Sequence, residues 1–302
     1  MSRKSEGRIP NLERRPKSEN QRIPVKNLVF RIRPSRAFGL SRLGFQILRR
    51  FASPPLALMA SLFLCHAQRP ADVRSSPPLD RVEAEKQGRA LAAQLRDQKP
   101  GENSVSTGWL KIRDERGKVR EIPARFEIFV TPTNWVSIYE TTASSNGPGG
   151  VKLTVVCTDN RPNHYVLAQP AESRAGSHTK LTGNGAMIPF AGTDFWLADL
   201  GREFLHWPKQ LLLRKQVHRS RSCQQLESIN PDPVPGSYAR VVSWIDTETG
   251  GIMDAEAFDA KGETIKRFTL KGFKKVRGQY ELEEMEISSR KTGSRTRIEF
   301  DF

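Results

Sequence analysis

The sequence predicts a mainly β protein of the α+β class, built on an antiparallel meander that is curved or rolled rather than on a parallel α/β sheet. Three observations lead there. After one helical stretch the apolar period changes from 3.6 to 2, short glycine turns separate the alternating runs, and most runs carry one apolar and one charged face. A sheet that is wet on its outside and covered within has that pattern.

The helix comes first. Residues 75–79 (SSPPL) read as a linker, and Asp80 is placed to cap a helix over about 80–98. Val82, Leu91 and Leu95 with the alanines form its stripe, and Pro100 with Gly101 ends it. Leu110 and Ile112 then alternate with Lys111 and Arg113, with a turn at 115–117. Phe126, Ile128 and Val130 form a second run, and Trp135 to Thr142 a third, closed by the glycine-rich 146–150. Val151, Leu153, Val155 and Cys157 share a face of the next, and Asn163 to Gln169 returns beside it.

Five strands follow in the C-terminal third: 238–246, 252–258, 263–276, 279–288 and 296–302. Turns containing Gly250, Gly262, Gly278 and Gly293 join them into sequential hairpins. Between the two strand sets, residues 192–207 have helical spacing at Trp196, Leu200, Phe204 and Trp207. Thr193 or Asp194 would cap this helix and Pro208 would follow it. Covering a concave sheet, such an aromatic helix either closes a filled core or lines an apolar ligand cavity.

Charge sharpens the organisation. The chain has 302 residues and a net charge of +16, which invites a nucleic-acid reading. Residues 1–67, however, hold 14 Lys+Arg against 3 Asp+Glu, a net +11, and the remaining 235 residues only +5. Arginines 42, 49 and 50 precede an apolar run at 56–64, and Ala67 follows it. These are the three regions of a signal peptide, with cleavage after Ala67. Leu64 before Cys65 argues against a lipoprotein signal; a transit peptide and a buried N-terminal helix are the other readings. The expected organisation is an extension with signal peptide at 1–67, a linker at 68–79 and one domain at 80–302, exported and without a spanning helix.

Little catalytic chemistry is visible. His164, His178, His206 and His218 form no paired metal-ligand motif, no GxSxG occurs, and Gly183 to Gly185 lacks the lysine of a phosphate loop. Glu281, Glu283, Glu284 and Glu286 read as a solvated strand face, as do Lys271, Lys274 and Lys275. No enzyme, metal or cofactor is expected. Cys157 and Cys223 either pair in an oxidising compartment or serve as small buried hydrophobes.

Residues 192–200 (GTDFWLADL), the run 238–246 (YARVVSWID), the hairpin at 257–262 (AFDAKG) and the terminal 293–296 (GSRT) follow one another in an order that resembles the LolA-like outer-membrane lipoprotein-sorting proteins. Cys223 stands about where that family has a strand cysteine. The resemblance covers about 80–302. It implies a curved, half-closed antiparallel β-barrel with helices packed on its concave side. Its function would be to carry lipoprotein acyl chains or other lipid in the periplasm, with an inner-membrane transporter as partner and no nucleic acid. On that basis Trp196, Leu200, Phe204 and Trp207 line the cavity. The rival for the same fold is an envelope structural or sensing domain without cargo, and a third reading, a basic nucleic-acid-binding protein, rests on the basic residues of 1–67.

Overall fold

The structure is a computed structural model that describes residues 79–142, 150–159, 161–169, 177–276 and 279–301. The expected signal core, the linker up to residue 78 and Phe302 lie outside these residues.

Helix α1 (Arg81–Arg96) begins where the sequence places it. Asp80 Oδ1 accepts from the N–H groups of Val82 and Glu83 at 3.0 and 3.1 Å, satisfying two amides that have no partner within the helix. The helix buries Ala84, Gly88, Leu91, Ala92 and Leu95. Val82, expected in this stripe, is instead 78 % exposed, because the buried face starts at Ala84. Gly88 has a steric duty: a Cβ there would lie 2.5 Å from the Gln210 carbonyl oxygen, so its absence lets the helix rest directly on a strand backbone.

All the strands join one antiparallel sheet. The N-terminal set is β1 (Ser104–Arg113), β2 (Val119–Val130), β3 (Asn134–Thr141), β4 (Lys152–Thr158), β5 (His164–Gln169) and β6 (Ser177–Leu181). The C-terminal set is β7 (Lys209–His218), β8 (Arg221–Ile229), β9 (Arg240–Asp246), β10 (Ile252–Phe258), β11 (Thr264–Val276), β12 (Gln279–Ser289) and β13 (Arg295–Phe300). The order is β6-β5-β4-β3-β2-β1-β13-β12-β11-β10-β9-β8-β7, so β1 and β13 meet at the centre and two meanders run outward. The sheet curls without closing, which leaves β6 and β7 as its edges. Since β6 and β7 are consecutive in the chain, the segment joining them spans the open mouth of the barrel.

Register places the apolar side chains on the concave side. Leu110 pairs with both Ile122 and Ile298 and all three are buried; their neighbours Lys111, Glu121 and Arg297 point outward. One core cluster, centred on Leu110, Phe126, Leu153, Tyr165 and Ile298, fills the N-terminal half. A second, of Leu212, Leu226, Val241, Ile245, Ala255 and Ala257, is covered by Leu91, Ala92 and Leu95 of α1. Met187 and Phe268 pack against both.

Three expectations are corrected. Strands β6, β7 and β8 are additions to the expected set: β6 is only five residues long, and β7 and β8 have an irregular burial pattern, with a bulge in β7 between Leu212 and Arg214. The 192–207 segment is not one helix. It is a single turn α2 (Leu197–Leu200) and a 3₁₀ turn at Glu203–His206, broken where Arg202 adopts φ 53°. Gly201 just before it lies so close to Tyr165 that a Cβ would stand 2.2 Å from the phenol oxygen. Finally, Glu281 and Glu286 are buried rather than solvated. Glu286 sits between Arg297 (2.7 Å) and Lys271 (3.1 Å), which hold its carboxyl below the usual range against the opposing effect of burial. Among the described residues no helix is long and apolar enough to cross a membrane.

Candidate functional site

The segment between β6 and β7 lays Phe190, Phe195, Leu197, Phe204, Leu205 and Trp207 into the concave side, all nearly inaccessible to solvent. Of the residues expected to line a cavity, Phe204 and Trp207 belong to the second core cluster, Leu200 packs against the first, and Trp196 lies partly buried beside the second. They therefore share one interface without enclosing a common void. The hollow at this end, between Trp135, Cys157, Asn163, Gly201 and Leu205, measures about 20 Å³, room for one water. Among the described residues the two core clusters pack this side with the protein's own side chains.

What holds the insert down is polar. Asp194 accepts from the hydroxyls of Ser294 (2.5 Å) and Thr296 (2.8 Å), while its own N–H donates to Thr296 Oγ1 at 2.9 Å. The GTD and GSRT motifs, a hundred residues apart, thus meet in one knot. Asp199 Oδ2 accepts the Trp196 N–H at 2.7 Å, so the helix turn is capped by Asp199 rather than by Thr193 or Asp194. Tyr238 donates its hydroxyl to the same carboxylate at 2.9 Å and stacks its ring on Trp196, with centroids 4.5 Å apart.

Lys266 completes this cluster. Its ammonium lies 3.6 Å from the centre of the Trp196 ring, donates to the Asp194 carbonyl at 2.6 Å and stands 3.5 Å from Asp199. Burial pulls its pKa down to about 8, although Asp199 opposes the shift. A buried cation costs free energy unless paired, and here a ring face, a carbonyl and a carboxylate share that task.

The far end of the insert is tied differently. Asn163 donates to the Gly201 carbonyl (2.6 Å), Tyr165 to Glu203 (2.8 Å) and Tyr139 to the Leu200 carbonyl (3.3 Å). Arg96 of α1 donates to the Leu205 carbonyl at 3.0 Å. Burial raises the Glu203 pKa against the Tyr165 hydrogen bond, and lowers that of His206 to about 4 with help from Arg96 and Arg202.

Lys266, Tyr238, Asn163, Tyr165 and Glu203 escaped the sequence reading. Asp194 and Asp199 stood in a motif that pointed to them; Lys266 sits in a strand already rich in charge, where nothing marks it as buried. The suggested disulfide is not formed. Cys157 lies on the inner face of β4 and Cys223 on the outer face of β8, both buried and free. Among the described residues no group of three or more His, Cys, Asp or Glu could hold a metal ion.

The curled, half-closed antiparallel sheet with helical turns locked into its concave side is a fold shared with solved structures. The comparisons agree on that fold. A crystal structure of a DUF1329 family protein from Desulfovibrio piger superposes with a TM-score of 0.59 at 20% identity, covering 72% of this chain and 91% of that one. A putative outer membrane lipoprotein-sorting protein domain from Vibrio parahaemolyticus gives 0.60 at 18% identity, with 72% and 92% coverage. A family model described as "Uncharacterized protein" matches residues 173–301. No curated protein matches the sequence.

Proposed function

We propose that this chain is a non-catalytic periplasmic carrier for lipoprotein acyl chains or another lipid, and that the segment between β6 and β7 is the lid of its cargo site. The observation that carries the proposal is the way this lid is seated. It offers an apolar underside to an apolar concavity, and side-chain hydrogen bonds from the sheet and α1 pin it in place. Each such bond contributes about 1 kcal/mol net, rising to about 1.5–3 where a charge is involved. Burying an acyl chain returns about 0.8 kcal/mol per CH₂, which offsets the loss of these bonds where the chain keeps the lid's apolar side chains covered. The Vibrio parahaemolyticus domain, named for lipoprotein sorting, has the same fold and supports the class of cargo.

Residues 80–302 form the working domain in this proposal, and residues 1–67 direct export, with cleavage after Ala67. An inner-membrane transporter would load the cargo. Trp196, Leu200, Phe204 and Trp207 would then face the acyl chain instead of the sheet. A second reading has one observation in its favour. A hollow of about 20 Å³ beside core clusters packed by the protein's own side chains is what an envelope structural or sensing domain without cargo would show.

A photo-crosslinkable palmitoyl peptide decides between them. Mixed with the delipidated full chain, it should bind saturably, be competed by unlabelled peptide and label the 196–207 segment. Absence of saturable uptake favours the filled domain and ends the carrier proposal.

A further inference from the structure

The larger opening is on the other side of the sheet. On the outer face of β7–β10, opposite α1, Leu213, Arg214, Gln225, Arg240, Val242, Trp244, Glu256 and Phe258 enclose an open cleft of about 460 Å³, within the size range of small-molecule sites. Register explains how it forms. Arg214, Gln225 and Trp244 lie in line across β7, β8 and β9, Val242 is paired with Glu256, and Arg240 with Phe258. Leu213, in the β7 bulge, adds an apolar wall.

Charge selects what the cleft can hold. Arg240 is engaged with Glu227 at 3.1 Å and covers the Phe258 ring at 3.7 Å. Glu256 is paired with Arg267 at 3.9 Å. Arg214 donates through Nε to Gln225 at 3.0 Å and has no carboxylate partner among the described residues. One cation is thus uncompensated, with both Nη groups left to bind. Trp244 offers the cleft its indole ring, an apolar wall beside the arginine. One free cation beside two flanking carboxylates suits a single negative charge and disfavours a dianion.

The walls are held rigidly. Trp244 stacks on His218 with ring centroids 4.9 Å apart, and His218 bonds to Asp254, which is fully buried. The β7–β8 turn passes through Arg219 (φ 50°) and Ser220 (φ 64°), a left-handed pair that glycine and asparagine normally occupy. Arg219 is held there by a 2.8 Å bond to the Leu270 carbonyl.

The geometry points to a second ligand site in this outer cleft, for a monocarboxylate with a hydrocarbon tail of medium length. The carboxylate meets the Arg214 Nη groups, and the tail lies along Leu213, Val242, Trp244 and Phe258. The site does not depend on the carrier proposal, because it lies on the face opposite the lid.

Decanoate titrated into the ¹⁵N-labelled full chain provides the test. The indole N–H resonance that disappears in Trp244→Phe should move saturably with decanoate. Arg214→Gln should weaken binding about tenfold, the loss of one charge-assisted contact. Decylamine should not bind, and decyl phosphate should bind less well than decanoate. Absence of a saturable shift at Trp244 overturns the site. So does binding that survives Arg214→Gln undiminished, or decylamine that binds as well as decanoate. A shift confined to Trp196 and Trp207 would place decanoate under the lid, which overturns the outer site while supporting the carrier.

Discussion

Lys266 stands over Trp196 with its ammonium 3.6 Å from the ring centre, so a buried lysine lies against a half-buried ring. Without the lysine, the stacked Trp196–Tyr238 pair would lose the cation that lies 3.6 and 5.5 Å from its two ring centres. Without the ring and Asp199, the lysine would be a buried charge short of partners. This contact joins β11 to the lid, and its protonation affects how firmly the lid sits.

The folded pKa of Lys266, about 8, lies below the ordinary value of 10.5. Between these values the folded chain has released a proton that the unfolded chain keeps. This group's contribution to stability is therefore full above 10.5 and is lost as pH falls towards 8. Denaturant unfolding of wild type and Lys266→Met at pH 7.5 and 10.5 should show the difference between them shifting by about 3 kcal/mol in favour of wild type at the higher pH. Parallel curves would contradict the assignment.

Asp194 is the lid's main anchor. Asp194→Ala removes two hydroxyl bonds to a carboxylate and should cost about 2–4 kcal/mol. Hydrogen exchange followed by mass spectrometry should show residues 190–207 losing protection while β1, β2 and β13 keep theirs. Uniform loss across the sheet would mean that the knot supports the whole fold instead of the lid.

His206 makes the structure sensitive to acid. Its folded pKa of about 4 is below the usual 6.5, so its contribution is complete above 6.5 and disappears as pH falls towards 4. His206→Gln should flatten the stability profile across that interval by about 3 kcal/mol. Glu203 acts in the opposite sense: its raised pKa means a contribution present at low pH and lost as pH rises through the folded value. Glu203→Gln keeps an acceptor for Tyr165 and should stabilise the protein at neutral pH.

Gly88 offers a test in which the sign decides. In an exposed helix interior, glycine to alanine stabilises by about 1 kcal/mol. Here the added Cβ meets the backbone of Gln210 and Leu211 at 2.5–2.6 Å, and backbone cannot step aside as a flexible side chain would. Gly88→Ala should therefore destabilise by about 1–3 kcal/mol, measured by thermal unfolding.

The thiols should respond to unfolding and not to redox state. Burial raises the Cys157 pKa to about 11, and Cys223 is fully inaccessible. Reductant should leave the melting temperature unchanged, and iodoacetamide should modify both only after denaturation. Fast alkylation of the native protein would show a lid or sheet edge that opens readily.

Much of the fold was legible because it is written locally. Asp80 before an apolar stripe, glycines at 250, 262 and 293, and strict alternation in β10 to β13 need only neighbours to be read. Where local pattern and tertiary contact disagree, the reading failed. Trp196, Leu200, Phe204 and Trp207 have helical spacing, yet close packing against Tyr165 and the left-handed Arg202 divide their segment into two turns. Glu281 and Glu286 look solvated, because a carboxylate in an alternating strand gives no sign of the partners that bury it.

By itself, then, the sequence determined the period of each element, the position of the turns, the motif carrying Asp194 and Asp199, and the confinement of most of the net charge to residues 1–67. Only the tertiary structure decided that β1 joins β13, that Asp194 meets Thr296, that Lys266 lies against Trp196, and that a cleft with an uncompensated arginine opens on the outer face. The physical reason is range. Backbone propensity and alternation act over a few residues, whereas burial, charge pairing and cavity shape arise among groups that the curl of the sheet brings together from distant parts of the chain.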